Sequence, residues 1–319
     1  RVIEKELLLG DITALIIYLG ILTWPMIAFG WVINIIQQAE ASMKRLNKIF
    51  HEPYEIEDSP LTDFSLTSVN GNIEFKNVTF RYNDNSPIIL DNIDLSIPEG
   101  TTLAIMGHTG SGKTSFVNLI SRLYDVTGGE ILIDGKPVKH FPLSVLRKNI
   151  GFVQQETFLF SDSIMNNLGY GLSEVNSEKI INAAKIAQFD KDVKDFPNQY
   201  ETVIGERGIT LSGGQKQRAT LTRALAIDPK ILILDDSFSA VDTNTEEEIL
   251  SNLKSFMKGR TSIIISHRVS TVKDTDKIVV LDKGKIAESG THARLIELNG
   301  IYADIYYKQL LEKELEELN

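Results

Sequence analysis

Residues Gly107-His108-Thr109-Gly110-Ser111-Gly112-Lys113-Thr114 place two glycines, a lysine and a hydroxyl in the order G-x-x-x-x-G-K-[ST]. The chemistry available to such a run is phosphate binding. Glycines let consecutive backbone N–H groups turn inward around phosphate oxygens. The start of a helix adds partial positive charge. Lys113 can neutralise terminal phosphates, and the Thr114 hydroxyl can ligate Mg2+. The context supports this: an apolar strand (LAIM) precedes the loop and a helical pattern (TSFVNLISRLY) follows it. Lys230-Ile-Leu-Ile-Leu-Asp235-Asp236 reads as a second buried strand, ending in carboxylates, with Asp235 placed to hold Mg2+. Leu211-Ser212-Gly213-Gly214-Gln215 is a third device, a Ser-Gly-Gly turn opening a helix and suited to an anion. One nucleotide does not need two such turns. Two chains facing head to tail do, with each nucleotide between one chain's phosphate loop and the other chain's Ser-Gly-Gly turn.

Residues 10–310 together resemble the ATP-binding cassette (ABC) exporters, and the motifs stand in family order. The resemblance implies an α/β fold: a P-loop NTPase cassette with a mixed sheet core, an antiparallel β subdomain and a helical subdomain, preceded by one transmembrane α-helix. It implies ATP and Mg2+ as ligands. Tyr82, 25 residues before Gly107, matches the aromatic that stacks on adenine. Gln155, with Gln154 as the adjacent alternative, aligns with the glutamine that touches Mg2+ and the attacking water. His267, 32 residues after Asp235, matches the switch histidine of the γ-phosphate. The implied nucleotide contacts are Tyr82, Gly107, Thr109, Gly110, Ser111, Gly112, Lys113, Thr114, Ser115, Gln155 and His267, with Ser212, Gly213, Gly214 and Gln215 reaching the partner's nucleotide. The implied metal ligands are Thr114, Gln155 and Asp235, and the catalytic groups Asp236, His267 and Gln155. Residues 201–208 resemble the loop, centred on Glu206, that meets the cytoplasmic coupling helices, and Ser239-Ala240-Val241-Asp242 matches the loop passing between the two sites. His108 occupies a variable position and is assigned no chemistry.

One position departs from the family. Where most members carry Glu as general base, this chain has Asp236, a carboxylate of similar intrinsic acidity but one methylene shorter. A misplacement of ~1 Å can slow a reaction on the order of 100-fold. The departure implies a slow site in a heterodimer of two half-transporters. The alternatives are a regulatory half that hardly hydrolyses ATP, and a homodimer in which Asp236 serves as base.

The elements that must position these residues are readable as well. Residues 12–36 hold no charge, and 19 of these 25 are apolar. As a helix they span roughly 37 Å, enough for a bilayer core of about 30 Å. Lys44, Arg45 and Lys48 put the following end in the cytoplasm. The helical pattern runs on to Phe50, so residues 1–50 are expected to be the end of a membrane domain. The chain begins with Arg1, and further membrane spans are expected before it. Residues 51–71, acidic with two prolines, read as a linker. Alternating strand and helix patterns then predict the cassette at 72–310, with 311–319 a tail that reads as a solvated helix end. The cell membrane is the expected location, multi-pass in the full-length protein and with the cassette cytoplasmic.

Composition trims the alternatives. A net charge of −10 lacks the electrostatic footprint of a nucleic-acid binder. Cys is 0, which excludes disulfide and zinc–thiolate chemistry, and His51, His108, His140, His267 and His292 have no metal-ligand spacing. Soluble cassette ATPases of chromosome maintenance share an LSGGQ-like turn, but the apolar helix and the compact motif spacing argue against them. The expected partners are a second half-transporter, membrane lipid and a transported small molecule or lipid; nothing in the sequence identifies the cargo.

Overall fold

The computed structural model describes residues 8–205 and 209–317, and the chain divides between Glu55 and Ile56 into two compact units. The first unit is one helix, α1 (Leu9–Phe50). Its Leu, Ala and Met lose little freedom in a helix, while its many Ile, β-branched and stiffer, supply apolar surface rather than helix propensity. Asp11 closes the N-terminus, its carboxylate accepting the Leu8 N–H at 2.9 Å. Pro25 lies inside the helix, a position membrane helices tolerate. Mean hydropathy reaches 2.0, and among the described residues no side chain of the stretch is buried, with Trp24 and Trp31 largely exposed. A helix apolar on all sides is suited to lipid or to other membrane helices.

The second unit holds two sheets among the described residues. The smaller is antiparallel, in the order β2 (Leu90–Ile97), β1 (Ile73–Phe80), β4 (Gly128–Ile133), β5 (Lys136–Pro137). The larger runs β10 (Lys285–Gly290), β9 (Lys277–Asp282), β3 (Thr102–Met106), β8 (Thr261–Ile265), β7 (Ile231–Asp235), β6 (Ile150–Val153). It is parallel except for β10. The helices are α2 (Lys113–Ile120), α3 (Leu143–Lys148), α4 (Ile164–Gly169), α5 (Ser177–Ile186), α6 (Phe189–Lys194), α7 (Gly213–Ala226), α8 (Thr243–Met257), α9 (Val269–Val272), α10 (His292–Leu298) and α11 (Ile301–Glu317).

Strands β3, β7 and β8 are buried along nearly their whole length and carry unbroken apolar stretches (residues 103–106, 231–234 and 263–265) because both faces of the larger sheet are covered. Alternate residues go to opposite cores. Leu103, Ile105, Ile231, Ile233, Ile263 and Ile265 join a core shared with α2 and the smaller sheet. Ala104, Met106, Leu232, Leu234 and Ile264 join a second core with α4–α8, α10 and α11.

Two stretches border the expected cassette. Residues 56–71 lack regular structure but lie on the cassette. Val69 is buried, Asp58 accepts the Leu143 N–H, and the N–H groups of Asn70, Gly71 and Asn72 all reach the Asp134 carboxylate. Residues 311–317 continue α11 without a break.

Candidate functional site

Parallel register builds the site. Val153 pairs with Leu234, Asp235 with Ile265, and Ile105 with Ile265. The carboxyl ends of β6, β7, β8 and β3 therefore stand in one row. Each strand then hands its next residues to one edge: Gln155 after β6, Asp236 after β7, His267 after β8, the phosphate loop after β3. Ligands of open α/β sheets bind in that crevice. A cleft of about 290 Å3 lies there, lined by Tyr82, Ile89, Thr109, Gly110, Gly112, Lys113, Thr114, Ser115, Gln155, Asp235, Asp236, Ile265 and His267. Gln155, not Gln154, is among the lining residues.

The phosphate loop is held by two glycines that admit no side chain. Gly107 has φ +140°, and a Cβ there would stand 2.1 Å from the Leu281 carbonyl oxygen. Gly112 has φ +101° and abuts Leu90 and Ile89. Lys113 is buried, and its Nζ donates to the carbonyls of Gly107 (2.9 Å) and His108 (3.0 Å), curling the loop around its own cation. Burial pushes the Lys113 ammonium pKa down, while Asp235 and Asp236 oppose that shift. The Ser111 hydroxyl is buried in the loop without a hydrogen-bond partner. A curled loop with a buried cation, an unpaired hydroxyl and the first-turn N–H groups of α2 fits a polyphosphate.

Asp235 is 2 % exposed, and burial pushes its carboxyl above the usual range, against a hydrogen bond from Thr114 that lowers it. Asp236 also raises it, while Lys113 and His267 lower it. Among the described residues no cluster of three or more His, Cys, Asp or Glu forms a self-sufficient metal cage. The donors here are a carboxylate, a hydroxyl and an amide, which suits a hard cation completed by phosphate oxygens and water. Asp236 is half-buried with φ +47°, its N–H bound to the Ile265 carbonyl. Tyr82 is 46 % exposed, rests edge-on against Phe80 and Tyr124, and its hydroxyl meets Ser115 Oγ at 2.8 Å.

Ser212, Gly213, Gly214 and Gln215 are not among the residues lining the cleft. They open α7 as a capping box: Ser212 Oγ accepts the Gln215 N–H, and the Gln215 side chain accepts the Ser212 N–H. Gln215 also donates to Asp192 of α6, which grips Arg218 through two oxygens at 2.9 Å. A Cβ on Gly214 would stand 2.9 Å from the Ala240 carbonyl oxygen, so the turn packs on residues 239–242. Gln217 ties that contact, donating to Ser239 Oγ and accepting the Ala240 N–H. Glu206, the centre of the expected coupling loop, lies outside the described residues with Arg207 and Gly208.

Sequence reasoning did not find Ile89, Ile265, Gln217, Asp192 or the residues that hold the His267 turn. Only the S-x-x-Q capping pattern carried a local signal for any of this.

The ABC transporter family profile matches residues 90–239. The chain is 42% identical over 305 residues to the ABC transporter ATP-binding protein YknU of Bacillus subtilis, covering 96% of this chain and 52% of that one. It is 40% identical to a probable multidrug resistance ATP-binding/permease protein of the same organism, YheI, over 97% of this chain and 53% of the relative. It is also 40% identical to the alpha-hemolysin translocation ATP-binding protein HlyB of Escherichia coli, over 97% and 43%. Among solved structures, a bacterial Atm1-family ABC exporter with ATP bound superposes with a TM-score of 0.81 at 36% identity, over 95% of this chain and 53% of that one. The chain thus spans about half the length of the relatives it matches. With these matches and the cleft's geometry together, the chain belongs to the ABC transporter family and carries its ATP-binding domain.

Proposed function

We propose that this chain is the cassette and last membrane helix of an exporter subunit, in which ATP-driven pairing of two cassettes drives export of a small molecule, drug or lipid. The observation that carries the reading is the convergence of four strand ends and the Tyr82 segment on one cleft. In this reading the Tyr82 ring takes the adenine. The loop 107–112 and Lys113 hold the phosphates, and Thr114, Asp235 and Gln155 hold Mg2+. When bound, that cation neutralises phosphate charge and orients the scissile group. Asp236 accepts a proton from the attacking water, Gln155 orients that water, and His267 faces the terminal phosphate. The half of the site that the cleft lacks comes from the Ser212–Gln215 turn of a second chain. Relatives whose names specify multidrug resistance or hemolysin translocation support export, and α1 supports a place in the membrane.

The shorter Asp236 supports a slow site, and so a heterodimer whose partner supplies the faster one. The test is ATP turnover by the purified full chain in detergent. Lys113→Ala is expected to abolish nucleotide binding or turnover; wild-type nucleotide binding and turnover in that variant would sink the assignment. Poor turnover in the wild type that Asp236→Glu restores is the result expected of a slow half. Equal turnover in the two makes Asp236 a competent base and a homodimer the better account.

A further inference from the structure

The turn that carries His267 is fixed by residues that no nucleotide-site motif contains. Residues 266–268 leave β8 and enter α9. From one side Glu246 of α8 meets this turn. Its carboxylate is buried, pairs with the Arg268 guanidinium and accepts the Thr271 hydroxyl at 2.7 Å. From the other side comes Gln309 of α11. Its Nε2 donates to the His267 carbonyl at 2.5 Å, and its Oε1 accepts the Val269 N–H at 2.9 Å. Arg268 provides no side-chain cap for α9, so Gln309 caps that helix from 40 residues away. A primary amide is a side chain that can donate to one backbone group and accept from another. Fixing the carbonyl of His267 and the N–H two residues on sets both the position and the tilt of the peptide from which the imidazole projects.

The helix that presents Gln309 is itself anchored. The Glu288 carboxylate accepts the N–H groups of Ile301 and Tyr302, and buried Tyr302 meets His292 Nδ1 at 2.7 Å. Gln309 is half-exposed and belongs to neither apolar core. Its hydrogen bonds are both to the backbone of the His267 turn, so its role lies there.

We propose that Gln309 is a positioning residue for His267, which makes the C-terminal helix α11 a working part of the nucleotide site. This rests on reading the cleft as an ATPase site. The experiment measures kcat and KM for MgATP in the purified full chain carrying Asp236→Glu, so that turnover is measurable, and compares the wild-type residues at 309 and 267 with Gln309→Leu, Gln309→Glu, His267→Ala and the Gln309→Leu/His267→Ala pair. Leucine removes both hydrogen bonds at similar volume; glutamate keeps the acceptor and loses the donor. Both Gln309 variants are expected to lower kcat by about 10- to 100-fold, the scale of a ~1 Å misplacement. KM is expected to stay within about threefold, because Lys113, Thr114 and Tyr82 are untouched. If Gln309 acts only through the imidazole, Gln309→Leu costs nothing further in the His267→Ala background. Unchanged kcat in both Gln309 variants overturns the proposal. So does an equal loss with and without His267, which marks a general structural role. If His267→Ala itself leaves turnover unchanged, the ATPase reading fails first and takes this proposal with it.

Discussion

Two glycines of the phosphate loop meet different surroundings, and their alanine variants should separate accordingly. At Gly110 a Cβ meets nothing within 4 Å, but φ is +81°. Alanine there carries only the left-handed penalty, about 1–2 kcal/mol. At Gly107 the same substitution adds collision with the Leu281 carbonyl oxygen, so the loop must shift, at more than about 3 kcal/mol. Thermal melts should therefore order wild type, Gly110→Ala and Gly107→Ala, and Gly107→Ala should lose nucleotide binding outright. Melts that place the two variants together would contradict the loop geometry. Asp236 is the informative residue of opposite kind. Its φ of +47° is a conformation that Asp adopts more readily than most side chains. The sequence told of a carboxylate one methylene short, but not of a backbone turned left-handed to aim it, because φ is set by the β7 exit and the Ile265 carbonyl. The residues proposed to contact phosphate were legible because a loop that wraps an anion needs glycines, a lysine and a hydroxyl in strict order. The residues that steady them were not.

At the scale of elements, α6 and α7 form the frame of the Ser212–Gln215 turn. Asp192 is the pin, taking Gln215 and both guanidinium donors of Arg218. Asp192→Ala strands a largely buried guanidinium and should destabilise the cassette by about 3 kcal/mol; Ser212→Ala, which loses only a cap, should cost about 1 kcal/mol. Urea midpoints decide the order. Asp190, on the same helix, gives a pH signature. Burial raises its carboxyl pKa, but hydrogen bonds from Lys194 and Tyr200 outweigh that and hold it below the usual 3.8. A depressed folded pKa stabilises above the unfolded value and is lost as pH falls through the folded one. The gap in stability between wild type and Asp190→Asn should be constant at neutral pH and close only below 3.8. A gap that closes near pH 6 would assign it to another group. The frame was half legible: S-x-x-Q followed by a helix reads as a capping box. Asp192 lies 23 residues from Gln215, and Gln309 lies 42 from His267, in neighbouring elements whose packing no local pattern encodes.

At the scale of the molecule, the cleft and the Ser212–Gln215 turn are both formed in one chain, yet the turn is not part of that chain's cleft lining. Ser212 and Gly213 are exposed. If turnover needs the turn of a second copy, defects in the two halves should complement. Lys113→Ala spoils a chain's own cleft and leaves its turn intact. Ser212→Arg blocks the turn and leaves the cleft intact, with the loss of one cap to the fold. Paired with itself, each variant has no complete site. Paired with each other, they assemble one site from the good cleft of one chain and the good turn of the other. The remaining site holds both defects. Co-expressed under two affinity tags, purified through both, and built on Asp236→Glu so that turnover is measurable, the mixed pair should recover roughly half the activity of the unblocked dimer. Each variant alone should stay near background. No recovery in the mixed pair would contradict complementation between the two chains, and full activity in Ser212→Arg alone would mean that the cleft works without a partner's turn. The exposed, capped turn would then be a surface feature of the helical layer rather than half of an active site.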